Sequence, residues 1–121
     1  MKAKALRRHY VTINGKRMVA MAESDFNQLL RKADLWEPEM PEPDEHGYYP
    51  LSVLAVIQAR DILRSRRKLG LSQADLARRA GIRPETLNRI EQGRNKPSVP
   101  TIVKIDRALK KAEAAQKAEA G

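Results

Sequence analysis

The sequence contains no cysteine, and this absence excludes disulfides, thiolate zinc sites and a cysteine nucleophile. Histidine is scarce as well, because His9 and His46 are the only two in the chain. The sequence also lacks a glycine-rich phosphate loop, metal-ligand spacing and paired carboxylates with supporting groups. We therefore expect no enzyme, no catalytic residues, no metal site and no cofactor.

Long apolar runs are missing too. No run is longer than residues 53–57, which are far too few to cross a bilayer. The N-terminus is basic, yet the apolar core of a signal peptide does not follow it. We therefore expect a cytoplasmic protein that has no membrane partner.

Positive charge is abundant and unevenly distributed. The 121 residues include 24 Lys and Arg against 15 Asp and Glu, a net charge of +9. Residues 51–121 carry 16 basic and 7 acidic side chains, whereas residues 37–50 carry 5 acidic and no basic ones. Basic domains bind phosphate polymers through counterion release, so this balance favours a nucleic-acid partner whose binding weakens with salt.

Composition and periodicity divide the chain into four regions. Residues 1–36 predict a β-hairpin and a helix, and residues 37–50 an acidic, proline-rich linker. This linker is either an extended solvated spacer or a cover for a basic surface. Residues 51–110 predict a helical domain, followed by an Ala, Lys and Glu tail over residues 111–121 that is helical or frayed. The predicted fold class is therefore mainly α.

The hairpin is predicted by two alternating segments on either side of Asn14-Gly15, a pair typical of type I′ turns. This turn sets Val11 opposite Met18. Ser24 is expected to cap the helix that follows. A unit of about 35 residues cannot bury enough surface to be stable alone, so we expect two chains to pair through it as a homodimer.

Residues 70–98 predict two short helices around a tight turn. Ser72 and Asp75 form the pattern of a capping box for the first helix. Gly81 is able to adopt positive φ and end that helix. Pro84 then fits the first position of the second helix, where its missing N–H has no bond to lose.

The second helix carries polar side chains opposite Leu87. At about 100° per residue, Glu85, Asn88 and Arg89 share this face. Arg and Asn can each make two hydrogen bonds, to guanine and adenine respectively, and Glu can accept from the cytosine amino group. Thr86 adds a methyl that can contact thymine. A solvated surface carries similar residues, so this face alone leaves both interpretations open.

Residues 60–109 resemble the phage-repressor and Cro type helix-turn-helix family, also called the xenobiotic-response-element family. The residues that match its motif are Arg66, Gly70, Leu71, Ser72, Gln73, Leu76, Ala77, Ala80, Gly81, Leu87, Ile90, Glu91, Gly93, Lys96, Pro97 and Ser98. This resemblance implies a four-helix, lambda-repressor-like domain that binds double-stranded DNA. It also implies that bases are read by the second helix and that phosphates are bound by Ser72, Gln73, Arg94, Asn95 and Lys96.

Arg83 departs from the family pattern, which usually has a small hydroxyl residue before the second helix. A cation at a helix N-terminus opposes the helix dipole by about 0.3–1 kcal/mol and supplies no capping oxygen. Two interpretations remain, that Arg83 binds a phosphate or that it extends into solvent.

Glu91 and Arg66 are predicted to form a structural ion pair. Glu91 lies about 40° round its helix from Leu87, and Arg66 is equally close to the apolar face of its own helix. Opposite charges that point inward from two packed helices are most simply paired with each other, and the resemblance implies the same pair.

Residues 14–30 are also similar to the hairpin and helix at the start of prevent-host-death type antitoxins. Together with the helix-turn-helix, this similarity suggests the antitoxin of a toxin-antitoxin pair, which binds a small toxin and represses its own operon. The other interpretation is a sequence-specific repressor with a generic dimerisation module. We take the repressor as the main prediction and the antitoxin as the alternative.

Overall fold

A computed structural model describes residues 8–94 and 96–120. The chain divides into two compact units, residues 1–36 and residues 37–121. In the described residues the fold is mainly helical, with one two-stranded antiparallel hairpin near the N-terminal end. The predicted fold class is therefore confirmed. No described helix is both long and apolar enough to span a membrane.

The described part of the first unit, from residue 8 onward, contains strand β1 (Arg8–Ile13), strand β2 (Lys16–Met21) and helix α1 (Glu23–Lys32). Asn14 and Gly15 both have positive φ, 50° and 75°, as a type I′ turn requires. Val11 pairs with Met18, which confirms the predicted register. The expected cap at Ser24 is wrong, because Ala22 takes the extended conformation before the helix and Ser24 lies inside its first turn.

The second unit, over its described residues 37–94 and 96–120, contains four helices, namely α2 (Val53–Lys68), α3 (Gln73–Ala80), α4 (Pro84–Glu91) and α5 (Val99–Ala120). Apolar side chains from all four helices meet in a single core. Its buried members are Ile62, Leu76, Ala77, Ala80, Leu87, Ile90, Ile105 and Ala108. Burying these side chains fixes how α3 and α4 are oriented on the other two helices.

Helix α5 continues through the Ala, Lys and Glu tail as far as Ala120. Ala112 is buried in this stretch. The Nε2 group of Gln116 donates to the carbonyl oxygen of Leu69 at 2.6 Å, just beyond the end of α2. The tail is thus a helical extension attached to the end of α2.

The acidic segment begins in direct contact with the helices of the second unit. Glu37 accepts two hydrogen bonds from Arg64, with N–O distances of 2.7 and 2.8 Å. Its carboxylate also lies 3.4 Å from Arg60. Pro38, the next residue, is buried. Residues 37 and 38 are therefore fixed on α2, and we call them the strap.

Candidate nucleic-acid interface

Local interactions define both ends of α3. The Oγ of Ser72 accepts from the Asp75 amide at 3.0 Å, and Asp75 accepts from the Ser72 amide at 3.2 Å. This reciprocal pair confirms the predicted capping box. The Ser72 amide and then its hydroxyl lower the pKa of Asp75 from its ordinary value. Gly81 ends α3 with φ of 70°, also as predicted.

Helix α4 has a buried side and an exposed polar side. Leu87, Ile90 and Glu91 are buried against the core. Pro84 occupies the first turn and Arg83 the N-cap position, with no capping hydrogen bond from the Arg83 side chain. The base-reading candidates Glu85, Asn88 and Arg89 are all exposed, and Thr86 is half-buried beside them.

The buried end of α4 is attached to α2 by an ion pair. Arg66 Nε donates to Glu91 Oε2 at 2.8 Å, and Arg66 Nη2 donates to Glu91 Oε1 at 2.9 Å. Arg66 Nη1 also donates to the carbonyl oxygen of Leu71, at 3.0 Å. Arg66 is 0% and Glu91 4% exposed. The structure thus brings together the two inward charges and satisfies them with planar, charge-assisted hydrogen bonds.

Gln73 connects the start of α3 to α4 in a way that the sequence did not indicate. Its Nε2 group donates to Glu91 Oε1 at 2.9 Å and lies 3.4 Å from Asn88 Oδ1. The motif match suggested only a phosphate contact for Gln73. Hydrogen bonds between side chains on different helices have no periodic signature in a sequence, so only the structure could reveal this arrangement.

The phosphate candidates lie at the ends of α3 and α4. The side chains of Arg83, Arg94 and Lys96 are exposed, and so is Ser72. The Ser72 hydroxyl and the Gln73 side-chain amide already bond within the protein, and the capping box engages the N–H groups of Ser72 and Asp75. An anion at this position would therefore be bound by the other N–H groups in the first turn of α3. Asn95 lies outside the described residues.

Gly93 separates α4 from the basic loop that follows. Its φ is 72°, a left-handed conformation that favours glycine. A Cβ at this position would stand 3.3 Å from Pro38 and from the backbone of Val56. The strap therefore packs directly against Gly93, and this contact fixes the position of the backbone just before Arg94.

Comparison with known families agrees with this geometry. Residues 62–115 match a family model described as helix-turn-helix, and the match spans the C-terminal part of α2, all of α3 and α4, and most of α5. A search of curated proteins gives no match. Helix-turn-helix domains place their second helix in the major groove of DNA. Residues 62–115 are thus similar to the helix-turn-helix family, and this similarity supports a DNA-binding regulator.

Proposed function

We propose that this protein is a sequence-specific transcriptional repressor that binds operator DNA as a homodimer, with α4 in the major groove. The observation that carries the proposal is the two-sided character of α4. Leu87 and Ile90 anchor the helix, while Glu85, Asn88 and Arg89 remain exposed. A helix of eight residues is about 12 Å long, which is comparable with the width of the major groove.

Base reading and phosphate binding fall to different residues in this proposal. Glu85, Thr86, Asn88 and Arg89 contact base edges, which specify the sequence. Phosphate contacts fix the position of the domain on the duplex, and they come from Ser72, Gln73, Arg83, Arg94, Asn95 and Lys96. Arg83 has no capping role and is exposed, so a phosphate is the partner that would offset its unfavourable position at the N-terminus of α4.

The experiment compares two single variants by fluorescence anisotropy. The probe is duplex DNA from upstream of the protein's own coding sequence, and the reference is a scrambled duplex of equal composition. We expect Arg89→Ala to lose the preference for the upstream duplex, because Arg89 reads a base. We expect Lys96→Ala to weaken binding to both duplexes alike and to reduce the dependence on salt. Equal effects of the two variants on both duplexes would contradict the division of roles.

The exposed apolar surface of the first unit supports the homodimer. No apolar side chain is buried between residues 8 and 36, and Tyr10, Ile13 and Val19 each remain about half exposed, at 51, 53 and 52%. A hairpin of two strands and one helix needs additional packing to be stable. A second copy supplies it and also pairs two recognition helices for half-sites about one DNA turn apart.

The same exposed surface favours a second candidate function, that of an antitoxin that binds a toxin protein through its first unit and represses its own operon. Two observations separate the candidates. A neighbouring short reading frame for a small basic protein, together with rescue of growth on co-expression, would support the antitoxin. A neighbour that is harmless when expressed alone would support a repressor only.

A further inference from the structure

Two side chains, Gln73 and Asn88, link the buried ion pair to the exposed side of α4. Arg66 donates a hydrogen bond to each carboxylate oxygen of Glu91, at 2.8 and 2.9 Å. Gln73 Nε2 donates to Glu91 Oε1 at 2.9 Å, and the same nitrogen lies 3.4 Å from Asn88 Oδ1. Asn88 itself is exposed. A continuous chain of hydrogen bonds thus runs from the core to a base-reading candidate.

The chemistry of these groups fixes the direction of each amide. An ionised carboxylate only accepts hydrogen bonds, so Gln73 must turn its NH₂ group, and not its oxygen, toward Glu91. The second hydrogen of that NH₂ group is then available to Asn88. Asn88 can meet a donor only with its oxygen, which leaves its own NH₂ group for the exposed side.

We propose that Gln73 is a positioning residue that makes Asn88 present its NH₂ group to DNA, so that Asn88 selects guanine over adenine. This inference rests on the proposed function. A free asparagine prefers adenine because it donates to N7 and accepts from N6. With Oδ1 engaged by Gln73, the contact to N6 is weakened. Guanine offers two acceptors, N7 and O6, to the remaining NH₂ group.

The test measures relative affinities for all four base pairs at each position of the preferred duplex, by competition anisotropy with the full chain. Asn88→Ala identifies the position that Asn88 reads, since the preference disappears there. Wild type should favour guanine over adenine at that position. Gln73→Met should shift the guanine-to-adenine ratio about five- to tenfold toward adenine, which is within the range of one two-bond base contact.

Two further variants separate positioning from loss of structure. Gln116→Met is the matched control, because it removes a different hydrogen bond between helices, the one to Leu69, and should leave the base ranking unchanged. Asn88→Asp keeps an oxygen toward Gln73 but presents a second acceptor outward. It should therefore favour cytosine, which offers an amino donor. Asp at this exposed site should leave the melting temperature within a few degrees of wild type.

The outcomes distinguish this inference from the proposed function. A ranking that is the same in Gln73→Met and wild type, or an adenine preference in wild type, would overturn the role of Gln73 alone. Wild type that shows no sequence preference would overturn the proposed function and this inference with it. A shift toward adenine in Gln73→Met and toward cytosine in Asn88→Asp would establish the inference.

Discussion

At the scale of single residues, the orientation of α4 depends on the Arg66–Glu91 pair. Both side chains are almost fully buried, and each of the two carboxylate oxygens accepts from the guanidinium. Removing one member leaves the other charge buried without its partner, which strongly destabilises the fold. Replacing both members by apolar side chains of similar volume is often neutral or even stabilising. We therefore expect the pair to define one arrangement of α2 and α4 more than to add stability.

We predict that Arg66→Met lowers the free energy of unfolding by about 3–5 kcal/mol. The double variant Arg66→Met with Glu91→Leu should be more stable than this single variant, because no unpaired charge remains in the core. Urea denaturation at neutral pH measures both. Arg78→Met is the surface control, since it breaks an exposed pair with Asp75 and should change stability little. Equal stabilities of the single and double variants would contradict the account.

Periodicity was sufficient to predict some of these residues and not others. The helical spacing places Glu91 beside Leu87, so the sequence predicted an inward charge and its partner. The exposed positions of Glu85, Asn88 and Arg89 follow from the same spacing. The contacts of Gln73 do not, because they join side chains that are 15 and 18 residues away in sequence. Amide orientation depends on a three-dimensional network that no sequence pattern encodes.

At the scale of elements, the strap fixes where the acidic segment begins. Pro38 packs against Gly93, and Glu37 bonds to Arg64 across 27 residues of sequence. Local signals such as the capping box and Gly81 predicted the ends of α3, because they operate within one turn. The acidic composition of residues 37–50 carries no information on which arginine Glu37 contacts, so the strap was not predictable.

Gly93 and Gly81 form a matched pair for testing the strap. Both have positive φ, 72° and 70°, but only a Cβ at Gly93 would have close neighbours. We expect each Ala substitution to lose about 1–2 kcal/mol through the left-handed conformation. Gly93→Ala should lose more, because Pro38 and the Val56 backbone must move. Thermal unfolding compares the two, and equal losses would show that the strap does not press on Gly93.

Glu37 makes the stability of the strap depend on pH. The hydrogen bond from Arg64 lowers the pKa of Glu37 below its ordinary value of 4.5, although partial burial opposes this shift. A carboxyl group whose pKa is lower in the folded state stabilises the fold above the unfolded pKa. That contribution is lost as the pH falls through the folded pKa.

We therefore expect Glu37→Gln to be less stable than wild type at pH 7, with a difference that closes as the pH falls below about 4.5. Urea denaturation at a series of pH values measures this difference. Glu39→Gln changes an exposed carboxylate of the same segment and serves as the control, with a smaller effect at pH 7. A Glu37→Gln deficit that is as large at pH 3 as at pH 7 would show that the carboxylate charge is not the cause.

At the scale of the whole molecule, the two units differ in how much apolar surface they bury. The second unit has a core formed by four helices, whereas the described part of the first unit buries no apolar side chain. The sequence predicted this contrast from length alone, since 35 residues bury too little surface. It could not specify the partner, because an exposed apolar surface accepts either a second copy or a different protein.

We predict that the 13.7 kDa chain elutes as a dimer at micromolar concentration and that Val11→Lys shifts it to the monomer. Val11 lies in the middle of β1, so a charge there would be buried without a partner in the dimer. Val103→Lys, an equally exposed valine on α5, is the control and should remain dimeric. Light scattering after size exclusion measures both masses. A dimer that survives Val11→Lys but dissociates in Val103→Lys would place the interface on the second unit.

The central claim is that α4 reads bases from the major groove, and methylation interference tests it most directly. Guanine N7 faces that groove and is the acceptor that Arg89 would use. On the upstream duplex, we predict that N7 methylation of a few guanines blocks wild-type binding. In each half-site, methylation of one of these guanines should no longer affect binding by the Arg89→Ala variant. Binding that tolerates N7 methylation at every guanine, yet remains specific for sequence, would contradict the account.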